Sequence, residues 1–192
     1  MMMGLISVSV FSLAYTRLAA HTSWLPSVLA GFCAWLVCTF VLENINLPLA
    51  IGVLMIFASI TISFLLMPRP SSHYAPRTPP SWEIPARMVS ATALVFLITA
   101  IAQFLGPKLT GLLTPFPIYA SVLAVFTHRY ETAGDAVSLL RGVVVGSITA
   151  VIFLLVISST IAAWGVGFAF LSAIGVSLVT HGAVFQFLKS HS

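Results

Sequence analysis

The sequence predicts an all-α fold, a polytopic membrane helical bundle of six to seven transmembrane helices with the N-terminus outside and the C-terminus cytoplasmic. Three observations predict it. Apolar residues make up 59% of the 192 and charged residues only 6%, where a soluble domain is usually about a quarter charged. Seven apolar runs occupy nearly the whole chain, most of them close to the roughly 20 residues a crossing helix needs. With seven spans, Arg17, Arg69, Arg77, Arg87, Arg129, Arg141 and Lys189 share one side and only Lys108 takes the other. That is the asymmetry of the positive-inside rule.

The spans follow in order. The first, 4–20, carries Ser7, Ser9 and Ser12 and ends near Arg17. It lacks the basic leader and small-residue cleavage site of a secretory signal, so a retained span is expected. Were it an interfacial helix instead, the charge pattern would survive, which keeps six spans open. The second, 24–42, ends at Glu43 and Asn44, and the third, 47–67, has Pro48 in its first turn, where proline is tolerated. Residues 68–87 hold six prolines and three arginines and read as an extended cytoplasmic connector. The fourth span is 88–105 and the fifth, 112–127, is short. The polar connector 128–141 leads to the sixth, 142–159, and the seventh is 164–188. One integral membrane domain thus covers 1–192, in the plasma membrane and, for a bacterial chain, the inner membrane.

Two small-residue stripes, Gly142/Gly146/Ala150 and Ala169/Ala173/Ser177, recur at four-residue spacing and allow close helix approach. They suit packing inside the bundle or a homo-oligomer face. Pro48 to Phe57 also aligns without a gap on Pro117 to Phe126, matching at proline, valine, leucine and phenylalanine. Transporters are often built from such duplications. Apolar helices also match by chance.

Between the fourth and fifth runs, Gly106 to Pro117 holds three prolines, two glycines, two threonines and a lysine. Non-helical backbone at membrane depth must be covered by protein or line a cavity. Thr114 with Pro115 resembles an N-cap followed by proline at the first helical position, which would start the fifth helix inside the hydrocarbon layer. A half-helix N-terminus there offers N–H groups to an anion. Lys108, Thr110, Thr114 and Tyr119, with Glu43 as an ion-pair partner for Lys108, form the expected substrate site. The competing reading is a plain outer turn with a lysine reaching for headgroups. His181 and His128 are candidates for proton relay or gating, since histidine titrates near neutral pH. Each has an anchoring alternative at a helix end.

No nucleophile, paired-carboxylate or phosphate-binding motif is present, so no enzyme is expected. Cys33 and Cys38 point about 140° apart on a helix, which argues against a disulfide or metal pair. No metal or cofactor is expected. The scattered basic residues are not a nucleic-acid footprint, and the expected partners are the lipid bilayer and a small solute. Transport or export of a small, anionic solute leads, followed by an accessory subunit of a larger membrane complex and then an intramembrane enzyme.

Overall fold

With few side chains able to pair with the backbone, the apolar runs satisfy their N–H and C=O groups by coiling. In the computed structural model, which describes residues 3–45, 48–69, 81–113 and 116–190, the described residues form six helices and no strand. They are α1 (Gly4–Ala19), α2 (Trp24–Glu43), α3 (Leu49–Leu66), α4 (Glu83–Leu113), α5 (Ile118–Tyr130) and α6 (Ala133–Ser190). Three of them, α2, α4 and α6, are long and apolar enough to cross a membrane, while α1 and α3 are shorter apolar helices.

The first helix is the hub. It packs against α2, α3 and α6, and Ser7, Ser9, Phe11, Ser12, Tyr15 and Thr16 are wholly buried. α1 is thus enclosed by its neighbours over most of its length. Its serines and threonines return their hydroxyls to backbone carbonyls, as Ser9 does to Leu5 (2.9 Å) and Thr16 to Ser12 (2.8 Å). Thr39 of α2 donates across to Ser7 at 2.8 Å. The outer surface is the reverse, with Phe104 89%, Leu65 74% and Phe168 73% exposed. A hydroxyl-bearing interior inside a greasy exterior inverts the usual water-soluble pattern.

The described arginines gather at one end. Arg17 donates through Nε to the Leu66 carbonyl at 2.8 Å, and Arg141 through Nη1 to Phe64, Met67 and Pro68 at 3.2–3.4 Å. α3 has no basic residue in its own last turn, so arginines from α1 and α6 satisfy the carbonyls its terminus leaves open. Arg129 lies 5.4 Å over the Trp24 ring and Arg87 reaches Glu131 at 3.4 Å. Arg77 lies outside the described residues.

Several boundaries differ from those expected. α4 begins at Glu83, inside the expected connector 68–87, because Trp82 and Arg87 find partners on α5: the Trp82 and Tyr130 rings meet edge-on at 5.3 Å and the Arg87 guanidinium lies 5.8 Å from the centre of the Phe126 ring. Residues 70–80 of that connector lie outside the described residues. α6 begins at Ala133 rather than 142, because Thr132 and Asp135 cap each other: the Asp135 N–H donates to Thr132 Oγ1 at 3.1 Å and that hydroxyl donates to Asp135 Oδ2 at 2.6 Å. The expected sixth and seventh spans are two arms of α6, 133–164 and 166–190, hinged at Gly165 (φ 72°, ψ 172°). The arms fold back on each other, with the Phe153 and Phe170 rings 6.1 Å apart.

The expected duplication is visible in one feature only. Pro48 and Pro117 both immediately precede their helices, as N-caps of α3 and α5. α4 packs on α5, whereas α2 and α3 each pack on α1 and make little contact with one another.

Candidate functional site

The stretch from Gly106 to Pro117 is more regular than its composition suggests. Residues 106–113 continue α4 as helix, without a break at Gly106 or Pro107. Pro107 removes one backbone donor, yet the remaining bonds carry the helix on. α5 starts at Ile118, so Thr114, which lies with Pro115 outside the described residues, is not its N-cap. The turn closes at Pro117 instead, with φ −79°, ψ 57° and the Ile118 N–H on the Phe116 carbonyl at 2.8 Å, an inverse γ-turn. Phe116 pins it, stacked 5.0 Å from Phe32 and edge-on 5.0 Å from Trp35. α5 therefore begins at the level of Trp35, about 16 Å along α2 from Trp24.

The expected substrate residues do not assemble into a described pocket. Lys108 and Thr110 lie on the last turns of α4 and Glu43 ends α2, with side chains outside the described set. Tyr119 is 80% exposed and points away from the bundle. His128 sits at the basic end of α5, where its Nδ1 is 3.2 Å from the Tyr15 hydroxyl. Tyr15 also donates to the Ala124 carbonyl at 3.2 Å. This pair holds α1 to α5.

His181 belongs to a different constellation, a shallow cleft of about 530 Å³ between the arms of α6. Gly146, Thr149, Ala150 and Phe153 line it from one arm, Ser177 and His181 from the other. Thr149 Oγ1 and His181 Nδ1 make a long hydrogen bond of 3.5 Å. Ser177 Oγ is buried with no hydrogen-bond partner, an arrangement that costs about 1–3 kcal/mol. Gly146 and Ala150 of one small-residue stripe and Ser177 of the other line this cleft. Ala169 and Ala173 are wholly buried within the chain. Gly142 and Gly146 have nothing within 4 Å of where a Cβ would stand, so the arms are apart at that level. Thr149 is eight residues beyond Arg141, about 12 Å into the bundle from the basic end.

A carboxylate is also buried, although the sequence places Glu83 in a solvated connector. Glu83 is 2% exposed and pairs with Arg87, which also reaches Glu131. Glu83 Oε2 has no partner. Among the described residues no three His, Cys, Asp or Glu side chains gather to hold a metal ion. Sequence reasoning missed Tyr15, Thr149, Ser177 as a polar group rather than a spacer, and Glu83. A hydroxyl at Thr149, beside the Gly146 and Ala150 stripe, was the available signal.

Comparison with protein-family models, curated proteins and solved structures finds no match to this chain. Its class is set by its helices alone: an all-helical protein, three of whose helices are long and apolar enough to cross a membrane.

Proposed function

We propose that this chain is a multi-pass membrane protein, with its arginine-rich end on the cytoplasmic side, that moves a small anionic solute. The membrane reading is supported by the apolar exterior, the hydroxyl-lined interior and the gathering of arginines at one end. The observation that carries the transport reading is the cleft between the α6 arms. There an unpaired Ser177 hydroxyl, Thr149 and His181 face one space of about 530 Å³. A protonated His181 would attract an anion, and the two hydroxyls would donate to it. Lys108, at the opposite end of the bundle, would draw the same class of solute to the outer side. Seven crossings fit the antiparallel arms of α6 and the central position of α1.

Purified protein in liposomes loaded with acetate, lactate or phosphate tests this reading. Efflux of one of them should exceed the protein-free rate, and His181→Gln and Ser177→Val should each lower it at least tenfold at unchanged membrane abundance. Flux equal to protein-free vesicles for all three anions refutes it.

One observation favours the accessory-subunit reading. From Ile84 to Ile101 no described residue of α4 is buried, so a whole helix face is free for another protein. A stoichiometric partner in mild-detergent extracts, together with absent flux, would select that reading.

A further inference from the structure

We propose that the arginine-rich end holds one anionic phospholipid, its phosphate on Arg17, Arg69 and Arg141 and an acyl chain in the groove between α3 and α6. The groove encloses about 490 Å³ and is lined by Ile60, Phe64 and Leu65 of α3 and by Val145, Ile148 and Val184 of the two α6 arms. Almost nothing in that lining is polar, so an ionic or strongly hydrated solute has no partner there, whereas a hydrocarbon chain needs none.

The mouth of the groove is the opposite. Phe64 lies in the groove wall, and the Arg141 guanidinium sits 4.2 Å above its ring. Arg141 uses only Nη1 on the carbonyls of Phe64, Met67 and Pro68, and Arg17 only Nε on Leu66. The remaining N–H groups of both have no partner among the described residues. Arg69 is exposed and close enough that its charge acts on Arg141. Among the described residues the ion pairs are Arg87 with Glu83 and with Glu131, so these three like charges have no carboxylate beside them. Like charges held together without a counter-ion repel one another. A phosphate diester removes that repulsion and accepts the free guanidinium donors in the forked geometry arginine favours. The lipid's two parts thus match the site's two parts, which a free anion or an uncharged lipid would not.

This inference rests on the membrane reading but on no transport activity, and one experiment separates them. The full-length protein is expressed and its membrane fraction assayed first; recovery in the soluble fraction overturns both. The protein is then purified in maltoside detergent and titrated with dioleoylphosphatidylglycerol, dioleoylphosphatidylcholine or inorganic phosphate, with bound lipid read by native mass spectrometry. Phosphatidylglycerol should bind at least tenfold more tightly than phosphatidylcholine. Arg69→Gln, which removes no backbone contact, should weaken it about fivefold. Ala183→Phe, which fills the groove wall, should weaken both lipids. Equal binding of the two lipids, an unchanged preference in Arg69→Gln, or inorganic phosphate competing as well as the lipid would overturn the proposal.

Discussion

Gly31 on α2 is the position where the chain leaves no room. A Cβ built there would stand 2.8 Å and 2.9 Å from Cε2 and Cδ2 of Phe11 and 3.4 Å from the Phe11 carbonyl oxygen. Phe11 is wholly buried, with Phe32 at 5.5 Å and Tyr15 at 6.1 Å, so its ring has nowhere to withdraw. Overpacking of this kind costs about 1–3 kcal/mol. Gly146, by contrast, has open space where its Cβ would go. Replacing either glycine by alanine gains the same helix propensity, about 1 kcal/mol, so comparing the two variants isolates the packing cost. Gly31→Ala should therefore be about 1–3 kcal/mol less stable than Gly146→Ala. At about 2–4 °C per kcal/mol for a chain of this size, thermal unfolding in detergent should separate them readily. A Gly31→Ala/Phe11→Leu double variant should recover part of the loss. Equal melting, or a larger loss at Gly146, would refute the reasoning and make the Gly142/Gly146/Ala150 stripe a tight contact after all.

Two further outcomes follow from single contacts. Gly165→Ala places a Cβ on a backbone at φ 72°, ψ 172°, a region essentially reserved for glycine, and should cost about 1–3 kcal/mol; a distance label across the α6 arms should lengthen, and an unchanged distance and melting temperature would show that the hinge is not needed. Tyr15→Phe removes the contacts to Ala124 and His128 and should lower stability by about 1–2 kcal/mol, measured by the same unfolding assay; no change would mean α1 is held to α5 by ring packing alone.

The helical class and most helices were legible because apolar runs of this length leave the backbone no other economical partner. The common end of the basic residues was legible for the same reason: charge is rare here, so its spacing is informative. What escaped was set by contacts between distant residues. The break expected between the runs 142–159 and 164–188 falls at Gly165, and only the backbone angle distinguishes that glycine from Gly142 or Gly146. Gly106 and Pro107 look like a break, yet one missing N–H in a helix of 31 residues does not end it. Glu83 reads as a connector residue until Arg87, one turn along α4, pairs with it. Of the expected site, His181 alone lines the cleft, because its neighbours Thr149 and Gly146 lie 32 and 35 residues earlier and meet it only when α6 folds back.

The position of α1 also has a consequence for how the chain is made. α1 leaves the ribosome before every helix that surrounds it, while carrying the serines and threonines that end up most buried. Until α2 arrives, those hydroxyls are covered only by their own backbone carbonyls. The Phe11 and Gly31 contact and the Ser7 and Thr39 bond are the earliest long-range contacts available to it. α3 and α6 then complete the wall around it. Assembly is thus ordered from the centre outward, and a lesion at Gly31 should be felt during synthesis, as an unpaired first helix, before it is felt in the finished fold.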